Sequence, residues 1–540
     1  MYSGWNSFFV AFAIASVVGL SAFGQTIDNI ELELNPSGNV PLAAQLTFTT
    51  DTPTVATLHI YDGKKTKKVT PNSEYTTEHD LMVLGLRPDR INTVRVTVKD
   101  RSGRRASTEK MELETGPLPD NFPPIDVKIS RPRRMEPGYT MVPFFRWAEA
   151  GPDKDYGLVL ALDAHGEVVW YYETDVTVSD LVPTRDGTFT YQISRNGRMR
   201  EIDMLGNLLR EWHTTGVPKE VSKDSIPVDT DIFHHDHQSL PNGNILALST
   251  EVRNFEDYPS SEIDLDAAPE PSQVIGDVIV EFRQDGTMVR EFRVMDILDP
   301  YRIGYGSLAT GFYADSYKDV LEKPAKDWAH TNSIFYDEAN DAAILSSYHL
   351  DVVYKVDLKT GELVWLLGNH EDWGEPWQKY LLTPDTEDFL WNSHQHSAKL
   401  TPHGTVIIFD NGTNRARPGQ EKLSAEDSWS RAVEFEIDEE ARTVSQVWAY
   451  GGPEDEIFFS PFISEVDWLP VKENILITDG GRMRTKDGEP SGSIFGGHHF
   501  ARILEVTHDT PAKKVFEIVI DDPAMGWAVY RSERVPSLYP

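Results

Sequence analysis

The chain has 540 residues, several times the roughly 150 of an ordinary domain, and its 39% hydrophobic and 11% aromatic content suffices for a large core. Its formal charge of −35 repels phosphate backbones and argues against a nucleic-acid partner. The absence of cysteine excludes disulfides, thiolate metal sites, cysteine nucleophiles and a lipid anchor on cysteine.

The N-terminus reads as a signal peptide. Residues 8–20 form an almost unbroken apolar run, and Ala22-Phe23-Gly24 offers a small-x-small cleavage pattern, so the mature chain begins at Gln25. The run is short for a bilayer span, although no Lys or Arg precedes it and an uncleaved anchor is the rival reading. No later segment is long and apolar enough to cross a bilayer. A periplasmic or secreted protein is expected, with no stable membrane span once residues 1–24 are removed.

Residues 25–116 read as short alternating strands, among them Ile30-Glu-Leu-Glu-Leu34 and Thr93-Val-Arg-Val-Thr-Val98, each with one buried and one wet face. Leu84-Gly-Leu-Arg-Pro88 is similar to the corner of a small immunoglobulin- or fibronectin-like β-sandwich, with Asn92 where such domains often carry a tyrosine. Residues 117–126 are a Pro-rich linker that cannot feed a sheet ladder.

Residues 127–540 repeat themselves. One unit runs apolar-Asp-x-x-Gly-x-apolar-apolar-aromatic and opens as Leu162-Asp-Ala-His-Gly-Glu-Val-Val-Trp170. It returns from Ile202, Phe282, Val356 and Ile437, and in worn form from Leu504, with Trp212, Phe292, Trp365, Trp448 and Phe516 as the closing aromatics. Asp and Gly suit the tight turn of a hairpin. A second hairpin, Leu240-Pro-Asn-Gly-Asn-Ile-Leu-Ala-Leu248, recurs from Val182, Leu400 and Leu469 and more loosely from Tyr336. Two alternating hairpins make a four-stranded blade, so six copies of the first predict an all-β chain with a six-bladed β-propeller; an array of β-sandwiches is the alternative. Residues 318–326 could add a short helix.

The histidines cluster near expected inner strands. His234, His235 and His237 precede Leu240; His330 precedes Ser333; His394 and His396 precede Leu400; His498 and His499 precede Ile503. His235 lies eight residues before Gly243 and His396 eight before Gly404. Matching positions in different blades meet at the propeller axis, so these imidazoles are expected to converge. Converging imidazoles can bind zinc or copper, supply a nucleophile with oxyanion donors, or satisfy inner-strand backbone groups, and spacing alone does not choose.

Longer motifs do. Asp327-Trp-Ala-His-Thr-Asn-Ser-Ile334, Asp341-Ala-Ala-Ile-Leu-Ser-Ser347, Gln395-His-Ser-Ala398 running on to Phe409-Asp-Asn-Gly412 and Arg415, Ser430-Arg-Ala-Val-Glu-Phe435 and Ile297-Leu-Asp-Pro-Tyr301 resemble the bacterial PAPS-independent arylsulfotransferases. The resemblance implies a six-bladed propeller that moves a sulfuryl group from a phenolic sulfate ester to a phenolic acceptor, by a ping-pong route through a sulfohistidine, without cofactor or metal. It implies His396 as nucleophile, His330 and Asn332 as catalytic partners, and one of His234 and His235 as the remaining histidine; the glycine count favours His235. Tyr348 stands where the family usually has a sulfate-binding arginine, followed by the expected His349. His234, Tyr348, His349 and Arg415 are therefore the substrate-binding candidates, Arg415 as a replacement guanidinium. The departure keeps open a non-catalytic propeller for sulfated or phenolic ligands. A histidine-metal hydrolase is the third reading, disfavoured because few acidic residues stand beside the histidines in sequence. A homo-oligomer stays open.

Overall fold

The computed structural model describes residues 25–539 apart from 147–155, 175, 194–195, 218 and 494–496, with only the backbone of residue 179; the expected signal peptide lies outside the described residues. The N-terminal sandwich is organised by one 19-residue strand, Ala43–Tyr61. Its first half pairs with Ile27–Leu34 and Thr76–Leu84, its second with Thr66–Val69 and Arg90–Asp100. Side chains alternate between buried and wetter along it, as a sheet with one covered face requires. Asn92 does the work of the missing corner tyrosine. Fully buried, its amide accepts from Arg87 N (3.0 Å) and donates to Arg87 O (3.1 Å) and Thr115 Oγ1 (3.1 Å), tying the corner to the strand that leaves it.

The remaining strands form six sheets of four or five strands, the blades of the propeller. Blades 2 to 5 run consecutively, with inner strands Val178–Pro183, His237–Ser239, Thr331–Asp337 and His396–Leu400. Blade 6 begins at Glu465–Leu469, and its outer strand Lys514–Ile520 is covered by Asp126–Ser130, directly after the linker. Blade 1 (Tyr139–Phe145, Gly157–Leu162, Val168–Thr174) takes its inner strand, Glu533–Val535, from the C-terminus. The ring is thus closed twice, outside by the first strand after the linker and inside by the last strand. That is why the second hairpin occurs five times and the first six: blade 1 has no inner hairpin.

The aromatic that ends each first-type hairpin does more than cap its strand. Trp170 donates to Met204 O (2.8 Å), Trp212 to Gln284 O (2.9 Å), Trp365 to Glu439 Oε1 (2.9 Å) and Trp448 to Asp509 O (3.3 Å). Each acceptor lies in the corresponding turn of the next blade. A ring buried beside its own sheet with its N–H spent on the neighbouring one links adjacent blades. In the outer region the helix expected over 318–326 is instead one turn earlier, Ala314–Tyr317, and 318–326 runs as turns into the short strand Lys326–Asp327. That segment pairs in parallel with Glu270–Phe282, and sheet pairing overrides its helical pattern.

The sandwich docks through its corner. Arg87 pairs with Asp163 (2.6 Å) and Glu167 (3.0 Å) in the first hairpin of blade 1, and Tyr539 accepts from Leu84 N (2.8 Å).

Candidate active site

His235, His330 and His394 stand just ahead of the inner strands of blades 3, 4 and 5 and share a left-handed backbone, with φ of 55°, 52° and 51°. That conformation costs an L-residue about 1–2 kcal/mol and concentrates at functional sites. The inner strands of blades 4 and 5 are irregular between Thr331 and Ser333 and between His396 and Lys399. Such bulges re-aim side chains; Asn332 sits inside the first and His396 opens the second.

The result is one cluster at one end of the channel. The rings of His235 and His330 are 4.6 Å apart and those of His330 and His349 4.8 Å. Tyr348 lies 5.9 Å from His330 and 5.1 Å from His396, and Tyr530 6.3 Å from His235 and 6.2 Å from His396. Phe312 stacks on His235 at 5.2 Å. Asn332 joins through its amide, which donates to Gln395 O (2.8 Å). His349 is admitted by Gly306, whose added Cβ would fall 2.5 Å from the imidazole.

His234 lies behind His235, 2% exposed, its Nδ1 2.8 Å from that of His235. Arg415 reaches Asp410 (3.2 Å) and the carbonyls of Trp429 and Trp391, and stacks on the Trp429 ring at 3.9 Å; none of these partners is a histidine of the cluster. Nor do His498 and His499 join it. They begin the third strand of blade 6, because the inner pair of that blade is the preceding hairpin; His498 meets Asp521 and His499 packs on Phe462.

Hydrogen bonds assign the protons. His234 Nε2–H donates to Ser249 O (2.8 Å), so its Nδ1 accepts from His235 Nδ1–H, leaving His235 Nε2 unprotonated. Asn411 donates through Nδ2 to Ser460 O and Ile463 O, which turns its Oδ1 towards His396. His396 Nδ1–H donates to that oxygen (2.8 Å), and its Nε2 keeps a lone pair that accepts only the long bond from Ile463 N–H (3.2 Å). His349 Nδ1–H donates to Asp327 O (2.8 Å). His330 Nδ1 meets Asp327 Oδ2 at 2.5 Å.

These environments push the imidazoles apart. Burial lowers His396 to about 3, His349 to about 3 and His234 to about 4, and lowers His235 well below its ordinary value. Burial also acts against the charged form of His330, but the Asp327 carboxylate outweighs it and holds His330 above the ordinary imidazole value. His330 therefore holds its proton more tightly than His396, His349, His234 and His235 hold theirs.

The acidic partners missing from the sequence reading are present in space: Asp327 on His330, Asp277 3.5 Å from His234, and Asp351 2.9 Å from His394. Asp327 stands three residues before His330 inside one motif, whereas Asp277 and Asp351 come from other strands and turns, beyond the reach of a local motif. Asp327, His330 and His349 also place ligand-type atoms within 4.8 Å of one another, as do Glu465, Asp467 and Glu533. In the first group the 2.5 Å separation of Asp327 and His330 is that of a hydrogen bond, whereas ligands of one tetrahedral zinc stand about 3.3 Å apart. In the second the Lys399 ammonium already bridges Glu465 (2.6 Å) and Asp467 (2.5 Å). The Tyr348 hydroxyl is spent on Pro461 O (2.7 Å), so the residue offers the site its ring.

Sequence reading missed Arg531, a buried guanidinium that pairs with Asp236 (2.7 Å) and donates to Asn332 O (2.9 Å), an oxygen that also accepts from Tyr530 OH (3.2 Å). It sits after the last repeat, where no periodic signal points.

Residues 136–531 match the family model described as "Arylsulfotransferase (ASST)", and residues 31–116 that of the "Arylsulfotransferase Ig-like domain". The chain belongs to the arylsulfotransferase family. It is 24% identical to the "Arylsulfate sulfotransferase AssT" of Escherichia coli O6:H1, covering 97% of each chain. A protein of the same name from Lelliottia amnigena is also 24% identical, over 91% of this chain and 90% of its own. Among solved structures, a protein of unknown function from Bacteroides caccae aligns at a TM-score of 0.38 and 11% identity, over 73% of this chain and 98% of its own. The family match takes in all the candidate residues and ends on Arg531 itself.

Proposed function

We propose that the protein transfers a sulfuryl group from a phenolic sulfate ester to a phenolic acceptor through a sulfated His396. The observation that carries this reading is the opposed protonation of two imidazoles in one cluster. His396 presents an unprotonated Nε2, and His330 holds a proton on Asp327.

In the first half-reaction the His396 Nε2 lone pair replaces its contact with Ile463 N–H and attacks sulfur. The N–S bond forms as the ester O–S bond breaks, and His330 gives its Nε2 proton to the departing phenolate. In the second, an acceptor phenol passes its proton to His330, its oxygen attacks sulfur, and the N–S bond breaks. The His235 ring, 4.6 Å from that of His330, flanks the acceptor oxygen while His330 takes its proton. The free amide N–H of Asn332 donates to the sulfuryl oxygens, where a fixed donor contributes about 3 kcal/mol. Phe312, Tyr348 and Tyr530 wall the place a phenyl ring would take. On this reading residues 1–24 are a signal peptide and the mature chain works in the periplasm or outside the cell, with residues 25–116 a sandwich, 117–126 a linker and 127–540 the transferase.

Incubation with p-nitrophenyl sulfate and phenol tests the transfer, with release of nitrophenol expected. After donor alone, intact mass should rise by one sulfuryl group in the wild type and not in His396→Ala. No release across a panel of donors and acceptors sinks the reading.

A further inference from the structure

Beside the loop that carries His394 and His396 lies a cavity of about 200 Å³. The residues that line it include Arg415 and Arg417, Phe389 and Trp391, and Asn392 and Asp351. None of the site histidines lines it. Both arginine side chains are at least nine-tenths buried, with exposures of 9% and 3%. Neither is fully used. Arg417 reaches Asp351 and Asp372 only at 3.5 Å, its one short bond being to Ile303 O (2.6 Å). Arg415 meets Asp410 at 3.2 Å. The Nε of each guanidinium and the Oδ1 of Asn392 have no hydrogen-bond partner. Buried polar atoms are ordinarily satisfied, so three such atoms around one cavity need a reason.

Charge points the same way. The lining holds two arginines and one carboxylate, Asp351, which is already engaged by His394 through its backbone N–H (2.7 Å) and its ring (2.9 Å). The other carboxylates near the arginines, Asp410 and Asp372, lie outside the lining, and Asp372 reaches Arg417 only at 3.5 Å.

We propose that this cavity is a second binding site, for a single-ring aromatic anion bearing a carboxylate, sulfonate or sulfate. A planar guanidinium fork matches the oxygens of such a group, and the Phe389 and Trp391 faces match its ring. The volume is below the roughly 300–1,000 Å³ of sites for drug-sized ligands, which limits the occupant to one ring. The site does not depend on the transfer chemistry. It does adjoin it, because Asn392 donates to Gln395 Oε1 (2.6 Å), the residue before His396.

The probe is 4-iodobenzoate, which has no sulfuryl group to transfer. Its iodine, located by anomalous scattering in crystals of the full chain, should lie between Trp391 and the two guanidiniums. In solution Ala416→Phe, which fills the cavity, and Trp391→Leu, which removes an aromatic wall, should each weaken binding at least tenfold while unfolding at the wild-type temperature. Benzenesulfonate should displace the probe at least tenfold better than inorganic sulfate. Iodine absent from the cavity at saturation, affinity unchanged in both variants, or equal competition by inorganic sulfate overturns the proposal.

Discussion

His330 and His396 are the same residue type in the same cluster, and what separates them is one carboxylate. Asp327 raises His330 above the ordinary imidazole value, while burial lowers His396 to about 3. The first half-reaction needs His330 charged and His396 neutral, and the second needs His330 without its proton. Cleavage of the donor in a single turnover should therefore be level through the acidic range down to about pH 3, where His396 gains a proton, and should fall as pH rises through the raised pKa of His330, whereas transfer to the acceptor should fall as pH drops below that pKa. Asp327→Asn removes the group that outweighs burial, so the alkaline limb should move to lower pH and turnover at neutral pH should drop roughly 10²-fold, the scale of a lost general acid. A pH–rate profile of both proteins checks this; a limb that stays in place contradicts the assignment. His396→Ala should cost at least ~10³-fold in turnover with a donor such as p-nitrophenyl sulfate, since a nucleophile is not replaced by its neighbours. His235 and His396 were legible because each lies eight residues before a hairpin glycine, and His330 because it precedes an expected inner strand, whereas Asn332 and His349 were named only through the motifs of the resemblance. Asp327 and Asn411 were quoted within motifs without their roles, and Arg531 was missed, because their partners are fixed by bulges and by chain closure, which leave no local pattern.

At the scale of elements, the six hairpins were legible because a strand pair must alternate and its turn needs Asp and Gly. What the pattern did not reveal was why an aromatic ends each one. The indoles of blades 1, 2, 4 and 5 donate to the next hairpin turn, so the repeat signature records contacts between blades as much as within them. Trp212 is 1% exposed and packs edge-on to Phe282 of blade 3 at 6.5 Å. Trp212→Ala should destabilise the propeller by about 3–5 kcal/mol, whereas Trp212→Phe should cost about 1–3 kcal/mol, chiefly the loss of the partner of Gln284 O. Denaturant unfolding of the two variants measures the difference; no loss in Trp212→Phe would remove the bond to Gln284 O as a link between blades. Gly306 acts on the site in a similar way from outside the blades. Its φ of 102° and its contact with the His349 ring leave no room for a side chain. Gly306→Ala should displace His349 and lower turnover while leaving unfolding nearly unchanged, since the strain falls on an outer turn rather than on a blade.

For the whole molecule, closure and site are one arrangement. The C-terminal segment supplies Tyr530 to the wall, Arg531 beneath Asn332, the inner strand Glu533–Val535 of blade 1, and Tyr539 against the sandwich corner. Six blades could be counted from the repeats, but not that the unpaired blade borrows its inner strand from residues that also furnish the site, because strand pairing between the two ends of a chain has no sequence period. Deleting residues 533–540 keeps Tyr530 and Arg531 in the chain but removes the ladder that holds them. Glu465 would lose its neighbour Glu533, and Arg531 would keep Asp236 (2.7 Å) without the strand that fixes its backbone. The truncated protein should thus lose turnover and unfold at a lower temperature. A second variant separates the two effects. Arg531→Lys keeps the closing strand and the positive charge but cannot hold Asp236 and Asn332 O with one planar fork, so it should cut turnover at least tenfold while the unfolding temperature moves far less than in the truncation. Calorimetry and donor turnover on both proteins decide: if Arg531→Lys keeps wild-type turnover, the C-terminal segment serves closure alone.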